Sequence, residues 1–332
     1  MAASVPLSIL DLAAVGREET IAESFAGSLE LARVAERSGY RRIWYAEHHN
    51  ISSIASSATA VLIAHIAANT GTIRLGAGGV MLPNHSPLVI AEQFGTLETL
   101  HPGRIDLGLG RAPGTDQRTW MALRRDPHAS DRFPQDVVEL QRFLGDESPL
   151  PGIRAIPGQG THVPLYILGS SLFGAELAAQ LGLPYAFASH FAPRYLHEAL
   201  EVYREGFKPS TQLREPYAIA GVGVIAAETA ESAAAQFEAA RRLRARALFG
   251  RGRKLGADDV TAILASPQAV AVDEMLAYTA TGLPDQVASY LESFAADTGA
   301  DELMTVHYSD SVPNRLRSVE LLAGAFDPAG AA

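Results

Sequence analysis

Cysteine is absent from all 332 residues. Disulfides, thiolate metal sites and cysteine nucleophiles are therefore excluded, and the chain suits a reducing compartment. Positive charge is also in short supply: 27 Lys and Arg stand against 37 Asp and Glu, a formal net charge of −10. That sign repels a phosphate polyanion, and no Lys/Arg stripe overrides it locally, so no nucleic-acid partner is expected. Long apolar runs are missing too. The longest, "ATAVLIAHIAA" from Ala58 to Ala68, falls well short of the ~20 residues a membrane helix needs, and it carries His65. The N-terminus, "MAASVPLSILDLAAVGREE", has no basic segment ahead of its apolar run, so no signal peptide is expected. A soluble cytoplasmic protein without a membrane partner is the resulting expectation.

What is present is core-forming material: 47% of residues are hydrophobic and 19% charged, a globular composition. Two periodicities alternate along the chain. Strands are predicted at Leu7–Leu12, Arg42–His49, Ile73–Leu82, Ile105–Ala112, Pro164–Ser170, Tyr185–Phe191, Tyr217–Ala227 and Glu302–Tyr308. Several of these are continuous in apolar residues, as parallel strands covered on both faces are. Between them lie helical stretches. In "AESFAGSLELARVAERSGY", Phe25, Leu29, Ala32 and Ala35 form one stripe and Gly39 is the stop. "SPLVIAEQFGTLETLHPGR" opens on Ser86-Pro87, a natural N-cap and first-turn pair.

Eight strands alternating with helices predict an α/β fold, a (β/α)8 TIM barrel read as one domain over residues 1–332. Reactive groups in such a barrel sit at the C-terminal strand ends. A doubly wound open sheet is the alternative. Two stretches exceed a simple crossover, about 115–163 and 227–283, and are expected as insertions at the C-terminal face, where lids belong.

Four short stretches carry candidate chemistry. "WYAEHHN" ends a predicted strand, and strand alternation would put Glu47 and His49 on one side and His48 on the other. The spacing does not suit zinc, which in H-E-x-x-H uses ligands one helical turn apart. The group either handles protons or is the polar exit of a strand. "LGAGGVMLPNHSP" interrupts a buried strand with Gly76, Gly78 and Gly79. Each costs ~0.5–1 kcal/mol relative to alanine, so a bulge, an unusual peptide geometry or a closely approaching flat ligand is implied. "DLGLGRAPGTDQ" places Arg111 at a strand's C-terminal end, suited to a phosphate or an electron-rich ring, or to an ion pair with Asp116. "YILGSSLFGAELAAQLG" turns from strand into helix at Gly169, Ser170 and Ser171, where free N–H groups can hold a phosphate or where serine simply caps the helix. A fifth, "FASHF", offers Ser189 and His190 as pocket lining. There is no G-x-S-x-G elbow to support a hydrolase.

Taken in order, "SILDLA", "LARVAERSGYRRIWYAEHHN", "GGVMLPNHSPLVIAEQFGTLETLHPGRIDLGLGRAPGTDQ" and "LGSSLFGAELAAQLGLPYAFASHF" resemble the bacterial-luciferase-like flavin-dependent monooxygenase family. The resemblance covers nearly the whole barrel and is weakest over 227–283. It implies a homodimer that receives reduced FMN from a separate flavin reductase. It further implies reaction with O2 to a C4a-peroxyflavin and oxygenation of a small organic substrate, with no metal. By position it makes His48 the catalytic imidazole and Glu47 the acid before it. Gly78 and Gly79 match a cis-linked dipeptide against the flavin ring, Met81 a ring contact and Arg111 a basic residue near the flavin. Leu168, Gly169, Ser170 and Ser171 match the cofactor-binding turn that takes the phosphate. Relatives of the same barrel transfer hydride with a deazaflavin, and a flavin-binding protein without turnover is a further alternative.

Overall fold

The computed structural model describes residues 5–16, 19–112, 116–126, 128–250 and 255–327. Thr115, where the first insertion is expected to begin, lies outside them. The first half of the chain runs β1 (Leu7–Asp11), α1 (Ile21–Arg37), β2 (Arg42–Tyr45), α2 (Thr59–Ala67), β3 (Arg74–Met81), α3 (Pro87–Leu100) and β4 (Ile105–Gly110). Next come α4 (Gln117–Ala122), α5 (Phe133–Leu144), β5 (Leu165–Gly169), α6 (Leu172–Leu181), β6 (Tyr185–Phe187) and α7 (Leu196–Gly206). The chain continues with β7 (Ala218–Ala226), α8 (Ala230–Gly250), α9 (Ala257–Leu264), α10 (Ala269–Met275) and β8 (Thr279–Gly282). It ends with α11 (Pro284–Thr298), β9 (Glu302–His307) and α12 (Val312–Ala325).

Strands β1 to β7 pair in order, β7 pairs with β9, and β9 returns to β1, all in parallel. This closes an eight-stranded (β/α)8 barrel. The remaining strand, β8, stands outside the ring on the C-terminal half of β7, from Gly223 against Thr279 to Ala226 against Gly282. It was not expected from the sequence: four residues of alternating Thr and small side chains offer no apolar run to recognise. Among the described residues, 227–283 thus hold three helices and a strand, packed around Ala245, Val260, Val272 and Leu276. Within 115–163, α5 packs beside α3, burying Phe133, Val137, Leu140, Phe143 and Leu144.

Alternation along the strands separates two cores. Leu7 and Ile9, Ile43 and Tyr45, and Ala218 and Ala220 point outward into the layer shared with the helices. Trp44, Tyr166, Ala186, Ile219 and Met304 fill the barrel interior with Leu10 and Leu168. Below them, at the N-terminal strand ends, lies a charged floor. Buried Arg42 meets Asp106 Oδ2 at 2.7 Å, Glu302 Oε1 at 2.9 Å and the Tyr166 hydroxyl at 2.7 Å. Trp44 Nε1 donates to Asp106 at 3.1 Å and the Tyr217 hydroxyl to Glu302 at 2.7 Å. With the carboxylates this well supplied, the network satisfies the condition on which buried charge is tolerated.

Candidate active site at the barrel mouth

All eight predicted strands stop one to four residues earlier than expected at the opposite, C-terminal end. β2 ends at Tyr45, β5 at Gly169 and β6 at Phe187, so "AEHHN", Ser170 and Ala188–Phe191 belong to the rim loops. The register then aligns the candidates. Met81 of β3 lies opposite Gly110 of β4, and Gly110 opposite Leu168 of β5, so Arg111 and Gly169 share the next level up.

Glu47 is the hub of the β2 side. Its carboxylate is buried and accepts from His49 Nε2 at 2.8 Å, His85 Nε2 at 2.9 and 3.0 Å, the Met81 backbone N–H at 3.0 Å and Asn84 Nδ2 at 3.3 Å. An ionised carboxylate only accepts, so both imidazoles present an N–H to it. Burial pushes the Glu47 carboxyl up, but the hydrogen bonds from His49 and His85, the His85 charge and the Met81 N–H outweigh it and hold the pKa at about 2. The same hydrogen bond raises the pKa of His49 against a smaller effect of burial. Glu47 and His49 do share a side, although the backbone there is loop and strand alternation is not the cause. His48 is half-buried beside them. Among the described residues, no group of three or more His, Cys, Asp or Glu is arranged to hold a metal.

The glycines of β3 are required by the protein's own packing. A Cβ at Gly78 would stand 2.7 Å from Leu10 and 2.8 Å from Trp44, and one at Gly79 2.7 Å from the Gly108 carbonyl. The Gly78–Gly79 peptide is cis, and the register with β4 shifts between Ala77 and Val80. The Glu47 N–H donates to the Gly79 carbonyl at 3.3 Å, which ties this irregularity to the hub.

On the β5 side, Ser171 holds the N-cap position of α6 but its side chain makes no capping hydrogen bond. The first-turn N–H groups of α6 are therefore left without a side-chain cap, whereas the sequence allowed an ordinary serine cap. Arg111 does not pair with Asp116. Its guanidinium lies 4.0 Å over the ring of Phe173, in the first turn of α6, while Asp116 caps α4 through the Thr119 N–H and accepts from Asn50. One cation and one helix N-terminus thus lie side by side.

Ser189 donates to the Gly221 carbonyl at 2.5 Å, which commits its hydroxyl to structure. His190 is buried, and burial together with the charge of Arg244 pushes its pKa down to about 3. The Tyr308 hydroxyl donates to the His190 carbonyl at 2.8 Å and Arg244 donates to that hydroxyl at 3.2 Å. Sequence reasoning passed over His85, Asn84, Arg244 and Tyr308. His85 was visible in "LPNHSP", but no spacing rule says that a loop imidazole reaches back 38 positions to Glu47.

A parallel eight-stranded barrel with titratable groups, a cation and an uncapped helix N-terminus gathered on its C-terminal rim defines an enzyme of the barrel class. The chain matches the luciferase-like monooxygenase model over residues 5–302. It is 48% identical over 321 residues to a luciferase-like monooxygenase of Escherichia coli (strain K12), covering 96% of each chain. It is 39% identical to an N-acetyl-S-alkylcysteine monooxygenase of Bacillus subtilis (strain 168), over 69% of this chain and 70% of the relative. The crystal structure of apo-MsnO8 is similar with a TM-score of 0.87 at 40% identity, covering 97% of this chain and 98% of that one. The protein belongs to the luciferase-like monooxygenase family and is an oxidoreductase of the monooxygenase type.

Proposed function

We propose that the protein uses reduced FMN and O2 to oxygenate a small organic substrate, with His48 as the catalytic imidazole. The observation that carries this reading is the shared rim level of Met81, Gly110 and Leu168, which sets the Glu47 hub and the Arg111–Ser170 turn around one mouth. The residues suit FMN. Ser170, Ser171 and the uncapped first turn of α6 would hold the phosphate beside the Arg111 charge, with Leu168 and Gly169 shaping the turn. Met81 and Gly78–Gly79 would line the ring. Bound reduced flavin supplies the electrons that activate O2.

The chain's own residues do the rest. Glu47, ionised down to about pH 2, cannot serve as a general acid near neutrality; it fixes the loops that carry His48, His49 and His85. His48 then holds or moves a proton at an imidazole nitrogen facing the substrate. The rim loops exclude water from the reacting centre. A separate flavin reductase delivers the reduced cofactor, and the working form is a cytoplasmic homodimer; no described helix is long and apolar enough to cross a membrane. The thioether substrate named for the Bacillus relative makes organic sulfides the first class to screen.

Anaerobic titration with reduced FMN, followed by mixing with oxygen and spectral monitoring, tests the reading. Tight binding and substrate-dependent oxygen incorporation are expected. Oxygen-independent turnover with a deazaflavin, or flavin binding without substrate-dependent oxygen uptake, would replace it with one of the alternatives.

A further inference from the structure

We infer that the rim between β6, β7 and β9 is a substrate-recognition wall, on which the guanidinium of Arg244 binds a carboxylate carried by the substrate. The inference rests on the monooxygenase reading and adds a substrate class to it.

The wall is built from residues that the proposed chemistry leaves unused. In a chain of net charge −10, α8 concentrates Arg241, Arg242, Arg244 and Arg246 within two turns. Two of these have acidic partners: Arg241 meets Asp273 at 2.8 Å and Glu238 at 3.0 Å, and Arg242 meets Glu238 at 3.1 Å. Arg244 is half-buried, and no carboxylate among the described residues pairs with it. It donates to the Tyr308 hydroxyl at 3.2 Å and lies 5.6 Å from the centre of that ring. A guanidinium has five N–H donors, and among the described residues only the Tyr308 hydroxyl takes one.

Two glycines show that this arrangement is fitted to the barrel. Gly221 and Gly223 face the same side of β7. A Cβ at Gly221 would lie 2.5 Å from His190 Nδ1, and one at Gly223 2.5 Å from Tyr308 Cε2. Both rings therefore rest against a strand stripped of side chains to seat them. His190 Nδ1 is buried against Gly221 without a hydrogen-bond partner among the described residues. β6, which leads into His190, is four strands round the ring of eight from β2, which leads into the Glu47–His48 group. A partly desolvated cation without a counter-ion favours an oxyanion, and guanidinium matches carboxylate geometry. A small organic acid whose carboxylate meets this cation is the substrate class this chemistry favours.

The test uses the FMN-loaded, full-length protein and a panel of carboxylic acids of increasing size, from butyrate through phenylacetate to (benzylthio)acetate, each with its methyl ester. Binding is followed through the flavin spectrum. Acids are expected to bind at least ~10-fold more tightly than their esters, and Arg244→Met to erase that preference while reduced-FMN affinity stays constant. Arg244→Lys should recover part of it. Wild-type protein with no acid preference overturns the inference. So does an Arg244→Met protein that weakens acid and ester equally, which would make the residue a structural tie, or one that loses FMN, which would assign the charge to the cofactor. If Arg244→Met does not fold, ionic strength decides in the wild type: added salt should weaken acids and spare esters, and equal sensitivity refutes the proposal. Oxygen-dependent turnover with reduced FMN is measured separately, so its failure sinks the functional reading and loss of acid preference alone sinks only this one.

Discussion

The two ends of the barrel handle buried charge in opposite ways. At the floor, Arg42, Asp106 and Glu302 are at most 1% exposed, and cation and carboxylates meet one another directly. At the mouth, the Glu47 carboxylate is saturated with donors, while on α8 the Arg244 guanidinium has no acidic partner and the His190 Nδ1 no partner at all among the described residues. A closed network is a device for holding strands together. An open one stores unmet polar capacity for something that arrives, which is why the N-terminal end of such barrels reads as stability and the C-terminal end as chemistry.

Variants at the two ends should therefore separate activity from stability. His48→Ala should cut substrate oxygenation by ~10²–10⁴-fold while leaving the melting temperature and FMN affinity largely unchanged. Equal product formation in both proteins would reject the assignment. Arg42→Met should do the reverse, destabilising by ~3–5 kcal/mol because Asp106 and Glu302 are left buried beside a missing cation. Turnover per folded molecule should be retained, and urea unfolding with an unchanged midpoint would show that the floor is dispensable.

The mouth has its own stability signature. The Glu47 pKa is lowered on folding, so its contribution is present above the usual carboxyl range near 4.5 and is lost as pH falls toward about 2. The contribution is of order 3 kcal/mol at neutral pH, and Glu47→Gln should flatten that acid limb in melts at graded pH. An unaltered limb would mean the carboxylate is not held as described. Smallest of the four, Gly221→Ala should cost ~1–3 kcal/mol by pushing His190 off β7, an overpacking effect read from the melting temperature. No change there would mean that the ring is not seated on the strand.

Much of the fold was legible because its signal is local. Apolar runs, helical stripes and cap residues each speak for a few neighbouring positions, and eight of the nine strands announced themselves that way. β8 did not, since "TATG" pairs only because the upper half of β7 leaves an edge for it. The site was legible as a set of suspects. Their relations were not: Gly78 and Gly79 are dictated by Leu10, Trp44 and Gly108, and Arg111 turned from Asp116 to Phe173. Each of these depends on residues brought close by barrel closure.

Composition and periodicity by themselves determined a cysteine-free α/β chain with alternating strands and helices, because propensity and amphipathic spacing act over one or two turns of chain. Only the tertiary structure decided that Glu47 serves as an ionised anchor, that β7 is hollowed for two aromatic rings, and that Arg244 meets Tyr308 with no acid among the described residues beside it. Those outcomes are set by desolvation and by contacts between residues far apart in sequence, and such terms take a value only once the barrel has closed.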